Sequence, residues 1–415
     1  MVAMSSSRDR AQEAGVKYFY LGALGAATFL YGFALLYGGT GTLHLDAMAQ
    51  VIAVQGIGPI TLAALLLCVA GLAFKIAAVP MHFYAADVYQ GAASPVSAFL
   101  AFVPKTAGFV ALMLVLTTVG WTHGPDGQAL PEALRVMLWV MAAVTMTVGN
   151  VLAIVQDSIK RVLAYSSVAH SGYMLVGLLA GPGDGTFGAN GLAAVLFYLA
   201  AYGVMNTGAF AVLACLERPA RDHGEPLEVE RFDELRGLWQ RRPLLAVILA
   251  TCALSLLGFP PLLGFMAKLP LFTSGIAAGE IALVVVLGVN SAIAAFYYLR
   301  IVKAAIIDDP SPSEPDDALV QHPAFAPRLA VASASALGTV ALAILAGQLA
   351  RGAVAAADVL PAAQGQALLR HPGLLDDRQL DPLVDRAHIA LPKPTAPAGH
   401  HAATQGPGMI PSDPA

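Results

Sequence analysis

The feature that most constrains this chain is a series of long apolar runs that recurs over most of its length. About 20 consecutive apolar residues suffice for one helical crossing of a bilayer. Of the 415 residues, 57% are hydrophobic and only 12% are charged, whereas soluble domains carry about 25% charged residues. So few charged residues cannot cover the water-facing surface of a soluble protein of this size. The sequence therefore excludes a soluble enzyme and predicts a polytopic membrane protein.

The apolar runs define nine candidate membrane segments. Each is rich in Leu, Ala, Val and Gly and lacks the strict alternation of a barrel strand, so we predict an all-α transmembrane helix bundle. The segments lie near 18–37, 57–90 (interrupted), 95–119, 132–155, 160–180, 190–216, 243–274 (interrupted), 278–302 and 327–349. We expect residues 1–17 to form a short N-terminal segment, 18–349 the transmembrane domain, and the Pro- and Ala-rich residues 350–415 a mostly disordered tail.

The basic residues between the segments indicate the orientation of the chain. With nine crossings, the connections on one side contain no Lys or Arg, at 38–56, 120–131, 181–189 and 275–277. Arg135, just inside the fourth segment, is the one near exception. Cytoplasmic loops carry the excess of basic residues, so we predict a cytoplasmic N-terminus and a periplasmic tail. The connections on the cytoplasmic side hold Arg8, Arg10, Lys17, Lys160, Arg161, Arg218, Arg221, Arg231, Arg236, Arg241, Arg242, Arg300, Lys303 and Arg328.

Three lysines remain inside the apolar segments, at Lys75, Lys105 and Lys268. On insertion scales a lysine near the bilayer centre costs about 2.5–3.5 kcal/mol. A lysine close to a helix end avoids this cost when its stem reaches the interface. That alternative is weakest for Lys105, which lies about 15 Å along its helix from Pro95, at 1.5 Å per residue. We therefore interpret the three lysines as functional.

Both interrupted segments contain prolines that should break their helices. Pro80 lies within the first, and Pro260 and Pro261 lie within the second. Proline removes a backbone hydrogen bond and clashes with the preceding turn. Broken helices with a nearby lysine indicate the paired elements of an inverted-repeat transporter, and ordinary proline kinks are the alternative.

His170 is the candidate intermediary between the lysines. His170 lies in the stretch RVLAYSSVAHSGYML. It is about 15 Å along a helix that begins near Lys160. Lysines with a histidine and water between them can form a proton relay. The alternative is a histidine that only bonds a neighbouring helix, the role we predict for Asn150 and Asn206.

Four stretches carry a family resemblance: VYQGAASPVSAFLAFVPKTAGF, IKRVLAYSSVAHSGYMLVGL, SLLGFPPLLGFMAKLPLF and NSAIAAFYYLR. They resemble the antiporter-like subunit N family of bacterial proton-pumping NADH:quinone oxidoreductase, respiratory complex I. The resemblance covers about residues 11–305, and it implies proton translocation coupled to electron transfer from NADH to quinone. It places Lys75, Lys105, Lys268 and His170 on the family's relay residues.

The resemblance also carries expectations about cofactors, partners and missing parts. NADH, FMN, iron–sulfur clusters and quinone would act in other subunits, and this chain would bind none of them. Its partners would be other membrane subunits in the bacterial inner membrane, and no nucleic acid. The family pairs the first lysine with a glutamate in a fifth helix, and the chain begins just before the sixth. Glu13 would lie in the loop before that sixth helix and is not the missing carboxylate. We therefore expect Met1 to be an internal methionine of a longer reading frame.

Two other functions stay open at this point. One is the ion-translocating subunit of a multisubunit cation/proton antiporter, which resembles the same superfamily. The other is a structural membrane subunit that has lost pumping, as the absent glutamate would favour. The three cysteines, Cys68, Cys215 and Cys252, lie far apart in apolar runs and predict neither a metal site nor a disulfide.

Overall fold

The fold is a bundle of α-helices, seen in a computed structural model that describes residues 2, 9–123, 129–217, 229–310 and 324–359. No β-strand occurs in those ranges. The first half contains α1 (Asp9–Thr40), α2 (Leu45–Gln55), α3 (Pro59–Lys75), α4 (Tyr84–Gly91), α5 (Ser94–Thr117), α6 (Glu132–Ile154), α7 (Ile159–Ala180) and α8 (Gly191–Leu216). The second half contains α9 (Leu238–Arg241), α10 (Pro243–Leu257), α11 (Leu263–Ala277), α12 (Ile281–Val302), α13 (Phe325–Ile344) and α14 (Ala346–Asp358).

The prediction of a transmembrane helix bundle with two interrupted segments is confirmed. Seven helices in the described ranges are long and apolar enough to cross a membrane: α1, α5, α6, α7, α8, α12 with the turn that follows it, and α13. The remaining two predicted segments are the broken pairs α3–α4 and α10–α11. The first break spans residues 76–83 and includes Pro80, and the second spans 258–262 and includes Pro260 and Pro261.

Three boundaries differ from the sequence prediction. Helix α1 begins at Asp9 rather than near 18, so Glu13 lies within a helix and pairs with Lys17 at 2.7 Å, not in a loop. Residues 45–55, predicted as loop, form the short helix α2, which is too short to register as a span. The last segment divides into α13 and α14, and the helix continues to Asp358. The predicted tail from residue 360 onward lies outside the described residues.

Helices α7 and α8 occupy the centre of the bundle. Nearly every residue of α7 and most residues of α8 are buried, and α8 packs against α5, α7, α10, α11, α13 and α14. A helix that is apolar on all sides has no preferred outer face and is buried by its neighbours. Outer helices instead expose apolar side chains, among them Phe19 and Tyr20 on α1 and Phe296 on α12, as a lipid-facing surface requires. Consequently the polar residues of α7 lie in the interior of the protein.

Ion pairs join helices at the two ends of the bundle. Asp87 on α4 accepts hydrogen bonds from Lys17 on α1 and Arg161 on α7, both at 2.7 Å. At α6, the Nε of Arg135 donates to Glu280, the residue before α12, at 2.6 Å. Arg135, which was the exception in the charge pattern, is therefore matched by a largely buried carboxylate.

Helices α6 and α7 approach closely because each has a glycine at the contact. A Cβ atom on Gly149 would lie 2.6 Å from the backbone nitrogen of Ala169, and one on Gly172 would lie 2.6 Å from that of Met146. Small residues allow such approach between membrane helices, where dispersion and hydrogen bonds replace the hydrophobic effect. This contact places Asn150 and His170 in the same interior layer.

Gly149→Ala should therefore destabilise the protein by about 1–3 kcal/mol, the usual cost of forcing extra volume into a packed core. The measurement is the thermal unfolding midpoint of the purified protein in detergent. Gly288→Ala on α12 is the matched control, since its Cβ would meet no atom closer than 3.6 Å. Equal midpoints for the two variants would contradict the close approach of α6 and α7.

Candidate functional site

Lys105 lies in the middle of α5 with its side chain inside the bundle. Lys105 is 2% exposed, and Pro104 precedes it within the helix. The ammonium Nζ donates hydrogen bonds to both the carbonyl oxygen and the hydroxyl of Ser167 on α7. A carbonyl oxygen has two lone pairs and can accept from a side chain while it also serves its helix. The polar face of α7 thus replaces the water that Lys105 loses on burial.

Lys268 is held at the second helix break. It lies on α11, is 5% exposed, and donates from Nζ to the carbonyl oxygen of Leu257 at 2.6 Å. Leu257 is the last residue of α10. The carbonyls at a helix C-terminus lack partners within the helix and carry partial negative charge, which favours a cation. The break therefore supplies the oxygen that a buried ammonium requires.

His170 lies on α7 and is 1% exposed. Its Nδ1 is 2.6 Å from the hydroxyl oxygen of Tyr198 on α8, and its Nε2 is 2.9 Å from that of Tyr298 on α12. The Tyr298 hydroxyl also bonds Ser166. The imidazole is thus connected by hydrogen bonds to two other helices.

Two further tyrosines connect His170 with the two lysines. The Lys105 Nζ lies 5.3 Å from the ring centroid of Tyr202, and that ring lies 5.1 Å from the His170 ring. On the other side, the Lys268 Nζ lies 5.1 Å from the Tyr173 ring centroid, which lies 5.4 Å from His170. Ammonium groups within about 6 Å of an aromatic face are attracted by the ring quadrupole. Three of the four predicted residues therefore form one interior cluster.

Asn150 has the interhelical role that was predicted for it. Its Nδ2 donates to Asn290 Oδ1 at 3.1 Å and to the Tyr173 hydroxyl at 2.9 Å, and its Oδ1 accepts from Tyr297 at 2.9 Å. These bonds join α6, α7 and α12 beside the lysine and histidine cluster. Asn206 was predicted to bond a neighbouring helix as well. This prediction is wrong for its Nδ2, which is buried and has no hydrogen-bond partner among the described residues.

Lys75 differs from the expectation that it is buried. It is the last residue of α3, and its side chain is exposed, with Nζ 6.0 Å from the Phe74 ring. Its backbone nonetheless lies against α5, because a Cβ on Gly108 would lie 2.9 Å from the Lys75 Cβ. A lysine at a helix end can extend its stem away from the core, so burial of this segment does not carry the ammonium inward. The described residues place Lys75 beside the cluster but not in it.

The first helix break nevertheless contacts the cluster through its backbone. The carbonyl oxygen of Ile76, directly after α3, accepts a hydrogen bond of 2.5 Å from the Ser171 hydroxyl. Ser171 follows His170 on α7. Backbone groups freed at membrane depth need such partners, since lipid offers none.

Sequence reasoning missed the four tyrosines and counted Lys160 among the basic residues of the connections. Lys160 is the second residue of α7 and is fully buried, with Nζ donating to the Ala92 carbonyl at 3.1 Å. The signal for the tyrosines was helical spacing. Tyr173 follows His170 by three residues, and Tyr198 and Tyr202 are four apart on the next helix, so each pair shares a helix face.

The cluster contains groups that can hold and pass protons, and no metal site accompanies it. Amine, imidazole and hydroxyl groups lie close together in the interior between Lys105 and Lys268, with His170 among them. In the parts of the chain that the structure describes, no group of three or more His, Cys, Asp or Glu residues could hold a metal ion.

Comparison with known proteins agrees with the resemblance found in the sequence motifs. A family model described as NADH:quinone oxidoreductase/Mrp antiporter, TM matches residues 1–294. NADH-quinone oxidoreductase subunit N of Myxococcus xanthus is 43% identical over 316 residues, covering 71% of this chain and 59% of the relative. The subunit N of Nitrosomonas europaea is 40% identical, covering 76% and 62%. The chain spans about three fifths of the length of these curated relatives.

Solved structures agree with the fold. A chain of respiratory complex I from Thermus thermophilus with bound Aureothin is 36% identical with a TM-score of 0.64, covering 83% of this chain and 70% of that one. A chain of the Mrp complex from Dietzia sp. has a TM-score of 0.71 at 24% identity, covering 85% and 69%, and shows likeness of fold alone. The predicted resemblance is confirmed by these matches. The chain belongs to the NADH:quinone oxidoreductase/Mrp antiporter transmembrane family.

Proposed function

We propose that the chain is the proton-translocating part of a subunit N of NADH:quinone oxidoreductase, coupled to electron transfer from NADH to quinone elsewhere in the complex. The observation that carries this proposal is the pair of buried ammonium groups on either side of His170. Ionisable residues inside a membrane bundle are costly and are typical of ion pathways and proton relays. Here each ammonium is held by a carbonyl oxygen of a neighbouring helix and lies over a tyrosine that contacts His170.

The relay in this proposal runs through Lys105, His170 and Lys268. Lys75 is the outer member of this relay. The backbone of Lys75 lies against α5 at Gly108, one helical turn from Lys105. NADH, FMN, iron–sulfur clusters and quinone act in other subunits, and other membrane subunits of the complex are the partners. The chain crosses the bacterial inner membrane. The distribution of basic residues places residues 1–17 in the cytoplasm and the tail, residues 350–415, in the periplasm.

Identity supports an oxidoreductase subunit over a subunit of a cation/proton antiporter. The relatives that match at 40–43% identity are named subunit N, while the match to the Mrp complex is at 24% and supports the fold only. The variants Lys105→Ala and Lys268→Arg distinguish a structural subunit that has lost pumping from these two ion-translocating subunits.

Lys105→Ala in the assembled oxidoreductase should leave the complex intact and lower proton translocation at least tenfold, because a proton-transfer group contributes about 10²–10⁴ in rate. The measurement is NADH-driven proton uptake by inverted membrane vesicles, with assembly checked on native gels. Lys303→Ala is the control, since Lys303 is an exposed lysine beyond α12. Uptake at the control's level would remove Lys105 from the relay and favour a structural subunit.

Lys268→Arg should impair proton uptake although it keeps the positive charge. A guanidinium does not lose its proton in proteins, so it can occupy the site at the end of α10 but cannot relay. The same vesicle measurement applies, with Lys303→Arg as the matched control. Proton uptake equal to that control would show that the site needs a charge and not an exchangeable proton.

A further inference from the structure

The surroundings of His170 restrict how a proton can reach its ring. Nδ1 is bonded to the Tyr198 hydroxyl at 2.6 Å and Nε2 to the Tyr298 hydroxyl at 2.9 Å. The imidazole is 1% exposed and both tyrosines are 0% exposed. An imidazole has only two nitrogens that can exchange protons. Both are occupied by phenol oxygens, so neither lysine ammonium contacts the ring nitrogens directly.

We propose that Tyr198 and Tyr298 are themselves proton carriers, one on each side of His170. This inference rests on the proposed function and adds residues that the sequence motifs did not assign. Any proton that enters or leaves the imidazole passes through one of these two hydroxyls. The two tyrosines come from α8 and α12, so the relay links three helices at a single histidine.

The transfer step balances without any further reactant besides the proton itself. A proton arriving through the Ser166 hydroxyl bonds to the Tyr298 oxygen, while the original Tyr298 O–H bond breaks and its proton moves to Nε2. The Nδ1–H bond then breaks toward the Tyr198 oxygen, and Tyr198 releases its own proton to the next acceptor, an interior water or a neutral lysine amine. One proton enters, one leaves, and the imidazole ends with its proton on the other nitrogen.

The neighbouring residue Tyr297 provides a matched contrast. It is also buried, lies on the same helix, and donates its hydroxyl proton to Asn150 Oδ1 at 2.9 Å. Its hydroxyl also lies within hydrogen-bonding reach of the Tyr298 hydroxyl, but it bonds neither nitrogen of His170. The adjacent pair Tyr297 and Tyr298 therefore compares a hydroxyl that bonds the imidazole with a neighbouring one that does not.

The test compares Tyr298→Phe, Tyr198→Phe and Tyr297→Phe in the assembled oxidoreductase. Proton uptake by inverted vesicles should fall tenfold or more for the first two and less than threefold for Tyr297→Phe. His170→Ala should match the two impaired variants. Uptake by Tyr298→Phe and Tyr198→Phe at the level of Tyr297→Phe would overturn the proposal. If Lys105→Ala is impaired while these two are not, the tyrosine inference fails and the proposed function stands. Normal uptake in Lys105→Ala would instead remove the proposed function.

A second measurement covers variants that fail to assemble and separates proton transfer from positioning. Replacing Tyr298 by a fluorinated tyrosine keeps the ring and its hydroxyl and mainly increases the acidity of the phenol. If the hydroxyl carries the proton, the rate of uptake changes with the number of fluorines, and the solvent deuterium isotope effect rises. An unchanged rate across a fluorotyrosine series would show that Tyr298 only positions the imidazole and would overturn the proposal.

Discussion

A lysine ammonium can remain inside a helix bundle only if oxygens of the protein replace the water it loses. In this chain those oxygens are two backbone carbonyls and one serine hydroxyl. Lys268 takes the carbonyl at the end of α10, which is available because the helix breaks there. Lys105 takes the carbonyl and hydroxyl of Ser167 on the polar face of α7. The central helix α7, the break after α10 and the tyrosines Tyr173 and Tyr202 together surround these two charges.

At the second helix break, the break and the buried charge depend on each other. A broken helix in lipid needs partners for its freed backbone groups, and a buried cation needs protein oxygens that can accept its hydrogen bonds. At the break between α10 and α11, the freed carbonyl of Leu257 binds the Lys268 ammonium, so each group is the partner that the other needs. At α3 the freed carbonyl of Ile76 is instead satisfied by Ser171, and Lys75 at that break remains exposed. The two interrupted elements are thus alike in backbone but differ in what their lysine contacts.

Much of the fold and half of the site could be read from the sequence, because both depend on residues that are out of place in apolar surroundings. Prolines within apolar runs marked the breaks, and Lys105, Lys268 and His170 stood out by polarity alone. Tyr198 and Tyr298 did not, since a tyrosine in a membrane helix is ordinary and Tyr298 lies 128 residues from its histidine partner. Lys160, at the start of its helix, was counted with Arg161 among the basic residues of the connections, yet it is buried and donates to the Ala92 carbonyl. Whether a lysine at a helix end turns inward depends on neighbouring helices, which hydropathy does not describe.

The central claim is that the Lys105 and Lys268 ammonium groups lie in the interior on either side of His170. A high-resolution electron cryo-microscopy map of the protein in the oxidoreductase complex proposed for it is the most direct measurement of this claim. The account predicts the Lys105 ammonium on Ser167, the Lys268 ammonium on the Leu257 carbonyl, and a tyrosine oxygen on each nitrogen of His170. Lysine side chains extended to the headgroup region, or a His170 ring turned away from Tyr198 and Tyr298, would contradict it.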